Sequence, residues 1–371
     1  MPDLNNKKYR LIISGGGTGG HIFPAIAIAN RFKKLFPESE ILFVGANGRM
    51  EMTKVPEAGY KIVGLNIAGL QRQLTLKNLS FPFKVISSVR AAGRIIADFK
   101  PDAVVGVGGY ASAPVLFSAT SRNIPALIQE QNSHAGITNK LLAKRVSTIC
   151  VAYDGMEKAF PKEKIVLTGN PVRSDIIGCN VRRPEALEFF GLDPKRKTIL
   201  VIGGSLGART LNEATSRSLA QIAEAGYQLL WQTGKSYYAA AFTQTAGMAE
   251  KGIKAFEFIR QMDLAYAAAD LVISRAGALS ISELCLASKP SILVPSPNVA
   301  EDHQTKNAMA LVQKSAAVLV RDAEAVQKLY TEAFGLLADE DHLTELSRNI
   351  EKMARPEAAT EIVDELLKIL Q

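Results

Sequence analysis

Cysteine is scarce in this 371-residue chain, with three residues at Cys150, Cys179 and Cys285. They are far apart and odd in number, so they suit neither a disulfide framework nor a zinc spacing, and small buried thiols are expected. No apolar run reaches the ~20 residues that span a bilayer. Met1 to Arg10 is polar and holds no signal-peptide core, so a cytoplasmic protein is expected. Low-complexity segments and short-period repeats are also missing. Metal ligands are thin. Glu301-Asp302-His303-Gln304 has no second ligand pair, and Asp339-Glu340-Asp341 lies in an acidic helical tail with no strand before it. No metal is expected, and a solvated helix face is the reading for the second cluster.

What remains is an ordinary globular composition, 47% hydrophobic and 22% charged, with a net charge of +8. The length allows two domains. The positive balance favours nucleotide phosphates, nucleic acid or acidic lipid headgroups as partners. Aromatics make up 7% of the chain. No aromatic platform of the single-strand-binding kind is visible, so nucleic acid is not expected.

Leu11-Ile12-Ile13-Ser14 runs straight into Gly15-Gly16-Gly17-Thr18-Gly19-Gly20-His21, and a helical stretch, Ile22–Phe36, follows. A second strand–glycine loop–helix unit begins at Thr198-Ile199-Leu200-Val201-Ile202-Gly203-Gly204-Ser205-Leu206-Gly207-Ala208. Glycines let the backbone approach a phosphate, and the N-terminus of the next helix attracts its charge. Further strands are expected at Ile41–Gly45, Ala103–Val107, Ala126–Gln129, Ile149–Ala152, Gln228–Trp231, Leu271–Ser274 and Ser291–Pro295. Helices are expected between them, among them Leu79–Phe99, Asn139–Lys144, Ser280–Ala287 and Gln304–Lys314. Val326 to Leu370 reads as amphipathic helix. Alternating strands and helices imply parallel sheets covered on both faces. The expected fold class is α/β, with two Rossmann-like domains facing across a cleft and a boundary near Gly169-Asn170-Pro171-Val172-Arg173.

Gly15-x-Gly17-x-x-Gly20 matches the dinucleotide fingerprint formally. A nicotinamide site also wants an acid at the end of the second strand, and here that strand ends in Gly45-Ala46-Asn47, which argues against NAD. His21 opens a helix, where the dipole favours neutral imidazole. It reads as a general base or as a hydrogen-bonding cap. Ser280 and Glu283 have capping-box spacing, so Glu283 reads either as a helix cap or as an acceptor for a ribose hydroxyl pair. The stretch Leu70 to Arg94 mixes Leu76, Leu79, Phe83 and Ile86 with Lys84 and Arg90. It reads as a surface for an anionic membrane or as a helix packed in the core.

Taken together, the motifs resemble the MurG family, the peptidoglycan N-acetylglucosaminyltransferases that make lipid II. They are Gly15 to Ala25, Gly106-Val107-Gly108-Gly109-Tyr110, Glu130-Gln131-Asn132, Gly169 to Arg173, Gly203 to Ala208, Arg275 to Leu284 and Gln304-x-x-Asn307-Ala308. They occur in family order and cover nearly the whole chain. The resemblance implies a GT-B fold, with residues 1–172 as the acceptor-side and membrane-facing domain, joined by a returning helix at 352–371. Residues 173–351 would then bind UDP-GlcNAc. It implies inverting transfer of GlcNAc to the C4 hydroxyl of MurNAc in undecaprenyl-pyrophosphoryl-MurNAc-pentapeptide (lipid I), without a cofactor, at the cytoplasmic face of the inner membrane. Other cell-wall synthesis proteins are implied as possible partners.

By resemblance, Thr18, Gly19, Gly20, Asn132, Arg173, Ser205, Ile259 and Gln304 match donor-binding positions. The run Ala278, Leu279, Ser280, Ile281, Ser282 and Glu283 matches the segment that holds the nucleotide. His21 matches a catalytic or acceptor-side position, and Glu130 is a weaker candidate. Residues 295–303 depart from the better-known pattern. Another GT-B enzyme, a nicotinamide enzyme and a non-catalytic nucleotide-sugar sensor are the competing readings.

Overall fold

The computed structural model describes residues 7–67, 81–204, 206–299 and 302–371, with 81–84 and 174 described by their backbone alone. The chain divides into two compact units, Met1–Val172 with Glu357–Gln371, and Arg173–Pro356.

The first unit is built on a parallel sheet in the order β3-β2-β1-β4-β5-β6-β7. Its strands are β1 (Arg10–Ser14), β2 (Glu40–Ala46), β3 (Lys61–Leu65), β4 (Ala103–Gly106), β5 (Ala126–Glu130), β6 (Thr148–Val151) and β7 (Ile165–Leu167). The helices are α1 (Gly19–Leu35), α2 (Glu51–Glu57), α3 (Phe81–Phe99), α4 (Ser112–Thr120) and α5 (Ile137–Leu142). Strands β4, β5 and β6 are buried along their whole length. That is why they read as continuous apolar runs rather than as alternating ones.

The second unit repeats the plan in the order β10-β9-β8-β11-β12-β13. Its strands are β8 (Thr198–Ile202), β9 (Gln228–Gln232), β10 (Ile253–Phe256), β11 (Leu271–Ser274), β12 (Ser291–Leu293) and β13 (Val318–Leu319). Its helices are α6 (Arg183–Phe190), α7 (Arg209–Glu224), α8 (Lys235–Thr245), α9 (Met262–Ala268), α10 (Ala278–Leu286), α11 (His303–Val312), α12 (Asp322–Ala338) and α13 (Glu340–Glu351). The α/β class with Rossmann-like parallel sheets is as expected. The strand order reverses between β1 and β4 and again between β8 and β11, which is where such sheets gather ligands.

The amphipathic tail is three helices rather than one. Asp339 ends α12 and caps α13, accepting the His342 N–H at 2.9 Å. The Asp339-Glu340-Asp341 cluster is thus a helix start. Pro356 precedes the last helix, α14 (Ala358–Ile369). Its stripe Ile362, Val363 and Leu366 is fully buried in the first unit's core with Ile13, Ile28 and Phe32. Each such side chain contributes about 1.5–3 kcal/mol on burial, enough to seat a 12-residue helix firmly. The half-exposed strands β3 and β7 and the short α2, interrupted by Pro56, escaped the sequence pattern because edge elements carry weak periodicity.

Candidate functional site

In the first unit, the loop after β1 and the loop after β4 lie one on the other. Gly109, at φ 84°, approaches so closely that a Cβ there would stand 2.3 Å from the Gly16 carbonyl oxygen. Only glycine fits such an approach. Thr18 is the N-cap of α1 in extended conformation, with no side-chain cap bond, and Gly19 and Gly20 open the helix half-exposed.

His21 follows in the first turn. Its Nδ1 lies 3.0 Å from the Gly16 carbonyl oxygen and 3.4 Å from Thr18 Oγ1. A carbonyl only accepts, so Nδ1 carries the hydrogen and the lone pair of the neutral ring falls on Nε2. Nε2 lies toward the β4 loop: a Cβ on Gly108 would stand 2.9 Å from it.

Glu130 ends β5 and is only 2% exposed. Its carboxylate accepts the backbone N–H groups of Asn132 (3.1 Å) and Gly136 (3.0 Å) and the side-chain amides of Asn132 (3.3 Å) and Asn139 (2.8 Å). Four donors on two oxygens describe a loop clamp that fixes Asn132. Beside it, Gln129 donates to Asn170 Oδ1 (2.9 Å), Asn170 donates to the Gln131 carbonyl (3.0 Å), and Gln131 donates to the Val107 carbonyl (2.8 Å). Three motifs far apart in sequence thus form one buried amide network.

Of the expected membrane-facing residues, Leu76 and Leu79 lie outside the described residues, and Phe83 and Lys84 are placed by backbone alone on α3. Ile86 and Arg90 are exposed on that helix. α4 packs against both α3 and α5. An open groove of about 570 Å³ runs between α3 and α4, lined by Arg90, Arg94, Phe117 and Arg122 among others. Arg145 stacks on Phe117 at 4.7 Å. Phe117, and Ile137 and Leu141 on α5, are exposed.

In the second unit, Gln232 at the end of β9 carries the glycine loop. It donates to the Gly204 carbonyl at 3.3 Å and accepts the Ile259 N–H at 2.9 Å. Ile259 is buried, and its N–H is already engaged. Ser205 lies outside the described residues.

The capping box that the spacing of Ser280 and Glu283 offers does not form. Gly277 is the N-cap of α10 in extended conformation, so Ala278 begins the helix and Ser280 already sits in its first turn. Gly277 has no side chain with which to cap this end. The first-turn amides of Ala278, Leu279 and Ser280 are the orphan donors every helix leaves. Ile281 is buried in the core, and Ser282 bonds back to the Ala278 carbonyl at 3.0 Å.

Glu283, relieved of capping, accepts the Tyr266 hydroxyl at 3.0 Å and stands 3.8 Å from Arg173 Nε. Burial pushes its carboxyl above the usual range, and Arg173 and the Tyr266 hydroxyl only partly offset this. Gln304, on α11, accepts the Ser296 N–H at 2.8 Å, and buried Asn307 donates to the Ala276 carbonyl at 3.4 Å. They tie Ser296 and the β11–α10 loop to one helix. Arg275 is structural: its guanidinium meets Asp322 at 2.5 Å and the Val294 carbonyl at 3.0 Å.

Sequence reasoning missed Glu51, Gln232 and Tyr266. Glu51 is the first residue of α2, beyond the end of β2. It turns inward to the first glycine loop, accepting the Gly17 N–H at 2.8 Å and the Ala46 N–H at 3.0 Å. The only signal for it was its place after the second strand.

Residues 11–151 match the glycosyltransferase family 28 N-terminal domain, and 198–362 match the family's C-terminal domain. A Parabacteroides distasonis protein named UDP-N-acetylglucosamine–N-acetylmuramyl-(pentapeptide) pyrophosphoryl-undecaprenol N-acetylglucosamine transferase is 58% identical, over 98% of this chain and 99% of its own. A Cytophaga hutchinsonii protein of the same name is 55% identical, over 100% and 99%. The crystal structure of Acinetobacter baumannii MurG is 30% identical at a TM-score of 0.79, covering 97% of this chain and 99% of its own. The fold class is accordingly GT-B. On these grounds the chain belongs to glycosyltransferase family 28 and, within it, to the MurG family.

Proposed function

We propose that this protein moves GlcNAc from UDP-GlcNAc to the C4 hydroxyl of MurNAc in undecaprenyl-pyrophosphoryl-MurNAc-pentapeptide, converting lipid I to lipid II in peptidoglycan synthesis. The 58% identity to a transferase of that name, over nearly the full length of both chains, carries the reading.

The nucleotide is assigned to the second unit. There a neutral amide, Gln232, supports the glycine loop, and the uncapped start of α10 offers its amides and dipole to phosphate. Glu283 takes the ribose hydroxyls, with Tyr266 and Arg173 holding its carboxylate. Ile259 and Gln304 complete the donor set on this unit, with Ser205 and the run 278–282. The donor contacts expected of Thr18, Gly19, Gly20 and Asn132 stay part of the proposal. The acceptor sugar is assigned to the first unit.

His21 Nε2 takes the C4 hydroxyl proton as that oxygen attacks the anomeric carbon. The bond from that carbon to the UDP β-phosphate oxygen breaks, and the α configuration becomes β. The charge left on the β-phosphate is met by the α10 amides and Arg173. The step calls on no cofactor or metal. His21 is preferred over Glu130 as base because four donors already hold the Glu130 carboxylate.

Because the acceptor is lipid-linked, the protein is assigned to the cytoplasmic face of the plasma membrane. Among the described residues, no helix is long and apolar enough to cross a membrane. Attachment would then be peripheral, through Ile86, Phe117 and Leu141 with Arg90, Arg94 and Arg122 against anionic headgroups. Other cell-wall synthesis proteins would meet it there.

The test is transfer of labelled GlcNAc to a short-chain lipid I analogue, with UDP-glucose in parallel. Product from UDP-GlcNAc and little from UDP-glucose is expected. Donor binding without transfer would remove the acceptor assignments.

A further inference from the structure

We propose that Glu51 is a positioning residue for His21, acting through the single peptide unit that joins Gly16 to Gly17. The proposal rests on the reading of His21 as the base. Glu51 Oε2 accepts the Gly17 N–H at 2.8 Å, and His21 Nδ1 stands 3.0 Å from the Gly16 carbonyl oxygen. That N–H and that C=O belong to the same planar peptide. The arrangement is a carboxylate, a peptide and an imidazole in line, with the peptide placed where other sites put the carboxylate directly against the ring.

Three observations make the link specific. Glu51 is 1% exposed, and its carboxylate accepts the backbone N–H groups of Gly17 and Ala46, so its charge is directed at the loop. The loop is cut to fit it: a Cβ on Gly16 would stand 2.2 Å from Glu51 Oε1, and one on Gly45 2.5 Å from Glu51 Cγ. Gly109 also approaches this backbone closely, a Cβ there standing 2.3 Å from the Gly16 carbonyl oxygen, so the peptide has little room on that side.

Two effects follow. An anion accepting the N–H polarises the peptide and makes its carbonyl a stronger acceptor for Nδ1–H. This favours the tautomer that puts the lone pair on Nε2. The same anion occupies the Gly17 N–H, so this amide serves to aim a histidine rather than to hold a phosphate.

A double-mutant cycle on turnover tests the idea, with Glu51→Gln, His21→Ala and the pair. Glutamine keeps the size but offers only one acceptor oxygen to two N–H donors. Glu51→Gln alone is expected to lower kcat about tenfold to hundredfold, as a misaimed catalytic group does, with KM for UDP-GlcNAc within about twofold. In the His21→Ala background the same change should cost less than about twofold. An equal loss in both backgrounds would make Glu51 merely structural and overturn the proposal, as would full turnover in Glu51→Gln. Wild-type turnover in His21→Ala overturns the base assignment instead. If thermal melting shows Glu51→Gln unfolded, Glu51→Asp, which keeps the charge but withdraws it by one methylene, is carried through the same cycle with the same criteria.

Discussion

Replacing Glu283 with glutamine should separate donor recognition from stability, and in opposite directions. A carboxylate accepting two ribose hydroxyls makes two charge-assisted hydrogen bonds, each contributing about 1.5–3 kcal/mol. Glutamine keeps one acceptor oxygen, now neutral, and presents a donor group to the other hydroxyl. The loss is about one charged bond, or roughly a tenfold to hundredfold rise in KM for UDP-GlcNAc. Stability should not follow. Burial raises the Glu283 pKa in the folded protein, so the folded state holds that proton more tightly than the unfolded chain. The charged form therefore costs stability above the folded-state pKa, and a neutral side chain removes that cost.

The same shift sets a pH dependence. Donor KM in the wild type should climb as pH falls through the raised Glu283 pKa, above the ordinary carboxylate range, because the protonated acid loses an acceptor. In Glu283→Gln this limb should vanish. Steady-state kinetics from neutral to mildly acid pH, with thermal melting of both proteins, reads all three effects. Wild-type donor KM in the variant would refute the ribose assignment. A Tm several degrees lower would refute the desolvation argument.

His21→Ala should cut turnover far more than it weakens UDP binding, read by kinetics beside calorimetry; equal turnover removes His21 from the chemistry. EDTA should leave substantial activity, since Arg173 and the α10 amides supply the counter-charge; complete loss restored by one divalent ion would overturn that account. Binding to vesicles containing anionic lipid should weaken with salt over the range where the Debye length shrinks from about 10 to 3 Å. Arg90→Glu with Arg94→Glu should weaken it further, and no binding at low salt sinks the membrane-surface reading.

Much of the architecture was legible because parallel strands buried on both faces leave apolar runs that glycine loops then interrupt. The strands from β1 through β11 that were expected appear within a residue or two of their places. Elements without that signature were not legible: β3 and β7 at the sheet edge, α2 with its proline, and the breaks at Asp339 and Pro356 in the tail. At the site, sequence located the loops but not what holds them. The start of α10 was misjudged because Ser280 and Glu283 have capping spacing, while the extended backbone of Gly277 takes the cap first. Glu283 is in consequence available to Tyr266 and Arg173, a partnership no local spacing encodes.

The two glycine loops carry the sharper lesson. Both follow the first strand of a Rossmann-like sheet, and both open a helix. By pattern alone each is an anion site. Their second strands differ in what they send beneath the loop. After β2 comes Glu51, an anion that occupies Gly17 N–H; at the end of β9 stands Gln232, a neutral amide that donates to the Gly204 carbonyl. A buried carboxylate repels a second anion brought to the same amides, and at an effective dielectric near 20 two unit charges 4 Å apart interact by about 4 kcal/mol. That repulsion is enough to direct a diphosphate away from the Gly17 amide, whereas a neutral amide imposes no such penalty on the second loop. One glycine signature therefore encodes two chemistries, and the residue that chooses between them lies outside the signature.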